Sequence, residues 1–186
     1  SNKDINQVSE IIKSGWLTHG KYTSLFEVEF CKFTGATYAI TVSSCTAGLH
    51  LSCLASGFQK GDEVLIPAQT HTATAHAVEY TGAKAKLIDI DFESGNLKLE
   101  EIKKNVTKKT KGIIVVHMAG YPCEIDKIKK FCSKKGIILL EDCAHALGTY
   151  KNNNHVGNFG KTGCFSFYPT KQITTGEGGM VITNDY

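Results

Sequence analysis

The chain has 186 residues, 41% hydrophobic and 21% charged, the balance of a soluble globular protein with room for one sizeable core. Its 21 basic and 18 acidic residues leave a net charge of +3, too mild and too scattered for a nucleic-acid groove. No apolar run approaches the ~20 residues of a membrane span, and the polar start Ser1-Asn2-Lys3-Asp4 lacks the apolar centre of a signal peptide.

From Val8 to about Ser14 the pattern is helical, and Gly15-Trp16-Leu17-Thr18-His19-Gly20 breaks it with a glycine at each end. Apolar residues at Leu25, Phe26, Val28, Phe30 and Phe33 predict an amphipathic helix closed by Gly35. Tyr38–Val42 reads as the first strand, and Ser43-Ser44-Cys45-Thr46 opens a small-residue helix to about Ala55. A strand over Glu63–Pro67, a helix over Thr72–Tyr80 and a strand over Lys84–Ile90 follow. Next come a helix at Leu99–Asn105, a strand at Gly112–His117, a helix at Glu124–Lys135 and a strand at Gly136–Asp142. Asn152-Asn153-Asn154 reads as a turn, and Cys164–Tyr168 and Gly179–Thr183 as the last two strands. The prediction is an α/β fold in three layers: a mostly parallel seven-stranded sheet with helices on both faces. Tyr186 follows directly on a strand with no helix to cover it, the mark of an incomplete domain. The seven cysteines form no CxxC pair and sit inside apolar runs, which predicts reduced, mostly buried thiols and a cytoplasmic setting.

Ligands of a parallel sheet bind beyond the carboxyl ends of its strands. Five such ends carry polar groups here. Ser43-Ser44-Cys45-Thr46 offers hydroxyls and backbone N–H groups at a helix N-terminus, an anion site or a plain N-cap. His71 follows the second strand and has the shape to lie against a planar ligand, or is structural; His117, after the fourth, is equally ambiguous. Asp142 closes the fifth strand and either holds a proton on a nitrogen heterocycle or caps a following helix. His145, three residues on, orients that carboxylate or a ligand oxygen, or packs in the core. The sixth strand delivers Ser166 and Lys171, and a strand-end lysine that loses its proton can attack a carbonyl carbon. Phosphate-binding hydroxyls, an aspartate, a flat imidazole and that lysine together suggest pyridoxal 5'-phosphate.

With those residues in place the chain resembles the pyridoxal-phosphate-dependent, fold type I sugar aminotransferases of the DegT/DnrJ/StrS group. The resemblance rests on GWLTHG at 15–20, SSCTAGLHL at 43–51, GDEVLIPAQTHTATAHAV at 61–78 and GAKAKLIDID at 82–91. It continues through VVHMAGYPCEID at 116–126, EDCAHALGT at 141–149 and FSFYPTKQITTGEGG at 165–179. It implies Lys171 as the Schiff-base lysine and catalytic proton carrier, and Asp142 as the partner of the pyridine nitrogen. It implies Ser44, Cys45, Thr46 and Ser166 at the phosphate, His71 stacked on the ring and His145 near the 3-oxygen. Cys45 stands where glycine is frequent, so its contact would come through the backbone N–H. His71 replaces the commoner Phe or Trp. Lysine at 171 sets the chain apart from the related sugar dehydratases, which carry histidine there.

The resemblance further implies amino transfer, with glutamate as donor, to a keto group of a nucleotide-linked sugar, in a homodimer with shared sites. Residues 1–186 would be the cofactor-binding large domain, since family members are about twice as long and add a small domain. The alternatives are another fold type I reaction, such as amino-acid transamination or cysteine desulfuration, or a truncated domain that binds cofactor or a partner chain without turnover.

Overall fold

A computed structural model describes residues 1–185. Two helices, α1 (Asn2–Ser14) and α2 (Lys21–Thr34), precede strand β1 (Tyr38–Val42), and α3 (Cys45–Ala55) follows it. The alternation continues through β2 (Glu63–Pro67), α4 (Thr72–Glu79), β3 (Lys84–Ile88), α5 (Leu99–Asn105), β4 (Thr110–Val116), α6 (Ile125–Lys135) and β5 (Ile138–Asp142). A small hairpin of β6 (Tyr150–Lys151) and β7 (Asn154–His155) comes before β8 (Thr162–Ser166) and β9 (Gly179–Thr183).

Seven strands form one sheet in the order β1-β9-β8-β5-β4-β2-β3. The pairs β2–β3, β2–β4, β4–β5 and β5–β8 are parallel, whereas β9 runs antiparallel to both of its neighbours, β8 and β1. Because β9 is reversed, its first residue, Gly179, arrives at the edge where the other strands end.

Side chains on these strands alternate between two buried layers, as the period of 2 requires. Leu65, Ile113, Val115, Leu139, Phe165 and Ile182 pack on the layer under α2, α5 and α6. Their chain neighbours Val64, Ile66, Ile114, Leu140, Cys164 and Val181 pack against α3 and α4. Burial on both faces is why these strands read as unbroken apolar runs. Phe30 anchors α2 with its ring centroid 5.2 Å from that of Phe165 and 5.8 Å from that of Phe167, edge-on to both.

Neighbouring residues of β5 also point to opposite faces, and this gives Glu141 and Asp142 different tasks. Glu141 is fully buried. Its Oε1 accepts the backbone N–H groups of Phe159 (2.7 Å) and Gly160 (2.6 Å), and its Oε2 accepts that of Gly157 at 2.8 Å. Oε2 also lies 3.0 Å from His117 Nε2. His117 Nδ1 accepts the Cys123 N–H at 3.2 Å, so the ring proton sits on Nε2 and is donated to Glu141. His117 is therefore structural. It ties the end of β4 to Glu141 and to Cys123, while Glu141 holds the loop at 157–160.

Several boundaries differ from the sequence reading. α1 starts six residues before Val8, because Ser1 and Asp4 form a reciprocal capping box. β3 ends at Ile88 instead of Ile90, and β8 covers Thr162–Ser166 instead of Cys164–Tyr168. The expected turn at Asn152-Asn153-Asn154 exists, with Asn152 and Asn153 at φ 50° and 63°, but it joins the short strands of an unforeseen hairpin. All seven cysteines are free, and six of them are buried. Among the described residues no helix is long and apolar enough to cross a membrane.

Candidate active site

Beyond the carboxyl ends of β5 and β8 lies a cavity of about 850 Å³. All eight residues singled out from the sequence line it: Ser44, Cys45, Thr46, His71, Asp142, His145, Ser166 and Lys171. They come from four segments far apart in the chain. The sheet order brings them to one place.

The turn after β1 builds the anion end. Ser44 is extended, at φ −166° and ψ 162°, and N-caps α3 by accepting the Ala47 N–H at 3.1 Å. The first backbone bond closing onto the cap is Gly48 N–H to Ser44 O at 3.0 Å, so the Cys45 and Thr46 amides point out of the helix end. No acidic residue occupies the first turn of α3, which leaves the positive end of the helix dipole to an incoming anion. Ser44 is thus both N-cap and site residue. Gly179 packs beneath this turn so tightly that a Cβ there would lie 2.5 Å from Ser44 C and 2.6 Å from Cys45 N. Ser166, the last residue of β8, carries its hydroxyl into the same cavity.

Asp142 lines the cavity beside Cys45 and is buried. No helix follows β5 directly, so the expected cap is replaced by a turn contact: Oδ1 accepts the Ala144 N–H at 3.1 Å. The Cys45 thiol lies 4.0 Å from the same oxygen. Burial, then the charge of Asp142, pushes that thiol well above the ordinary range, so it stays protonated and donates. Thr74 Oγ1 donates to Asp142 Oδ2 at 2.8 Å. Thr74 is a residue that the sequence reading passed over. Its signal was its spacing, because Thr70 and Thr74 at i and i+4 approach on one side of the start of α4.

His71 is exposed on the cavity wall and N-caps α4, its Nδ1 accepting the Ala73 N–H at 3.1 Å. That bond fixes the imidazole at the cavity edge. His145 stands on the turn after β5, its pKa lowered first by partial burial and then by the charge of Lys171. The imidazole is accordingly neutral at pH 7. Lys171 does not end a strand: β8 stops at Ser166, and a turn carries the half-buried lysine, its N–H donating to Tyr168 O at 2.9 Å. Gln172 Nε2 donates to His145 O at 2.6 Å and fastens this turn to the one after β5. A lysine, a buried carboxylate and a helix N-terminus thus line one cavity of a size suited to a small phosphorylated molecule.

Comparison with known proteins agrees. The model of the DegT/DnrJ/EryC1/StrS aminotransferase family matches residues 1–186. GDP-perosamine synthase of Escherichia coli O157:H7 is 40% identical over 186 residues, all of this chain and 51% of that protein. The Vibrio cholerae protein of the same name is 41% identical over 178 residues, 95% of this chain and 48% of its own. An aminotransferase structure from Psychrobacter cryohalolentis superposes with a TM-score of 0.96 at 36% identity, covering 100% of this chain and 48% of that one. A GDP-4-keto-6-deoxymannose-3-dehydratase with a trapped PLP-glutamate geminal diamine gives 0.94 at 34% identity, covering 100% of this chain and 50% of that one. The chain spans about half the length of the curated relatives it matches. With a family model matching end to end and fold neighbours this close, the chain belongs to the DegT/DnrJ/EryC1/StrS aminotransferase family.

Proposed function

We propose that this chain is the cofactor-binding large domain of a pyridoxal-phosphate-dependent aminotransferase. In the whole protein it passes the amino group of glutamate to a keto group of a nucleotide-linked sugar. One observation carries the reading: Lys171, Asp142 and the bare N-terminus of α3 meet in one cavity.

The residues fit the cofactor. Outward-pointing amides at Cys45 and Thr46, with the hydroxyls of Thr46 and Ser166, suit a phosphate. Asp142 is ringed by donors, so it suits a protonated ring nitrogen. Bound there, pyridoxal phosphate supplies the electron sink for carbanion chemistry. The chain's own groups do the rest. Lys171 Nζ would tether the cofactor as a nucleophile and, in its free unprotonated form, would serve as the base and acid that moves the proton from the amino-acid carbon to its acceptor atom. Neutral His145 can donate toward the 3-oxygen without adding a second cation beside Lys171. His71 flanks the ring plane.

Lysine at 171 favours amino transfer over the dehydration named for one of the structural neighbours. Relatives of about twice the length support a further domain in the whole protein; the small domain and the homodimer with shared sites are carried over from the family resemblance. The unpaired, mostly buried thiols support the cytoplasm as its setting.

The test uses the full-length protein with pyridoxal phosphate, glutamate and a panel of nucleotide-linked keto sugars, following products by mass. Glutamate-dependent conversion of a keto sugar to an amino sugar is expected. Transfer to amino-acid keto acids alone would replace this reading with ordinary transamination, and cofactor binding without turnover would leave a non-catalytic protein.

Gly179→Ala tests the anion end separately. Its methyl group cannot fit without moving the Ser44–Cys45 backbone. Affinity for pyridoxal phosphate is expected to fall tenfold or more, with a stability loss of about 1–3 kcal/mol from overpacking. Titration by absorbance and a thermal melt of the same sample read both. Unchanged affinity would show that phosphate does not use this turn.

A further inference from the structure

Two hydroxyls near Asp142 lie outside the cofactor-binding set: that of Thr74 touches the carboxylate, and that of Thr70 touches Thr74. Thr74 is fully buried, in the first turn of α4, and Thr70 lies just before that helix on the cavity wall. Their Oγ1 atoms are 2.7 Å apart, and Thr74 Oγ1 is 2.8 Å from Asp142 Oδ2.

The direction of this chain follows from counting protons. A carboxylate facing Ala144 N–H and a hydroxyl can only accept, so the single proton of Thr74 is committed to Asp142. Thr74 Oγ1 must then accept from Thr70, whose own proton is thereby fixed. We infer that Thr70 and Thr74 form an ordered hydroxyl relay that sets the orientation of Asp142, making Thr74 a positioning residue. The inference rests on the assignment of Asp142 to the ring nitrogen.

Two physical effects give the relay its purpose. Oδ1 receives the Ala144 amide and the Cys45 thiol, while Oδ2 receives Thr74 and keeps a lone pair for one further donor. The carboxylate is thus clamped with one acceptor direction open. Hydroxyls in series also polarise one another in a site shielded from water and drain charge from the carboxylate. Held this way, Asp142 presents one fixed acceptor atom to the proton on the ring.

The test is the 15N chemical shift of ring-labelled pyridoxal phosphate bound to full-length protein, for wild type, Thr74→Val, Thr74→Ser and Thr70→Val. Valine matches threonine in shape and removes only the hydroxyl. In Thr74→Val the shift is expected to move toward the unprotonated value, with cofactor affinity about tenfold weaker, the worth of one hydrogen bond to a charged group. Thr74→Ser should restore both, and Thr70→Val should move the shift the same way by less. A wild-type shift in both valine variants would overturn the relay while leaving the cofactor site intact. If Thr74→Val does not fold, Thr70→Val decides alone. Failure of the wild-type protein to bind the cofactor would remove the underlying assignment, a result distinguishable from either.

Discussion

Replacing Lys171 with alanine in the full-length protein is expected to lower glutamate-dependent turnover by about 10³-fold or more, since one side chain carries both the covalent tether and the proton. Lys171→Arg should be nearly as inactive: guanidinium stays protonated under any working condition and cannot attack a carbonyl carbon. Borohydride reduction followed by peptide mapping reads the same claim without turnover. Wild type should retain the cofactor on the peptide containing Lys171, and both variants should release it on denaturation. Attachment at another lysine would move the assignment. Non-covalent binding should largely survive in Lys171→Ala, because the phosphate turn and Asp142 lie on other elements.

The second large effect is one of stability. Glu141→Gln keeps the shape of the side chain but turns one accepting oxygen into an NH₂ facing backbone N–H groups. Whichever way the amide is flipped it meets a donor: Phe159 and Gly160 on one side, Gly157 and His117 on the other. The expected cost is about 3–5 kcal/mol, the penalty of breaking a buried charged network from one side. For a domain of this size that corresponds to a melting temperature lower by about 10 °C. His117→Asn in the same background should cost less than it does alone, since its partner has already been lost. A Glu141→Gln melt within about 2 °C of wild type would show that the loop at 157–160 holds its amides by other means.

Legibility in the amino-acid sequence differs from element to element. The paired burial of β2, β4 and β5 was legible because continuous apolar runs of four to six residues fit few other structures. The gathering of Lys171, Asp142 and the α3 turn was legible because strand ends share one edge. The direction of β9 was not, since period-2 burial is the same whichever way a strand runs. Glu141 looked like part of a strand end because its partners at 157, 159 and 160 are backbone amides, which have no signature in side-chain identity. Thr74 was hidden for a related reason: a threonine inside a helix usually marks nothing more than packing. The hairpin around Asn152 lay below the length at which alternation can be recognised.

The reversed strand has a consequence for the order in which the molecule comes into being. β1 lies at the sheet edge and pairs with β9, Ala39 opposite Ile182 and Val42 opposite Gly179. On the ribosome β1 must therefore wait for its partner until β9 has been synthesised. Meanwhile β2 through β5 can assemble from parallel pairs that need only local crossovers. The nascent chain is then a half-built sheet with an open β5 edge and a dangling amino-terminal segment. Docking of β8 and β9 closes that edge, recruits β1 and seats Gly179 under Ser44 in one late event. The anion-binding turn is thus seated only once β9 is in place, and a chain grown no further than β5 has nothing beneath Ser44 to hold it.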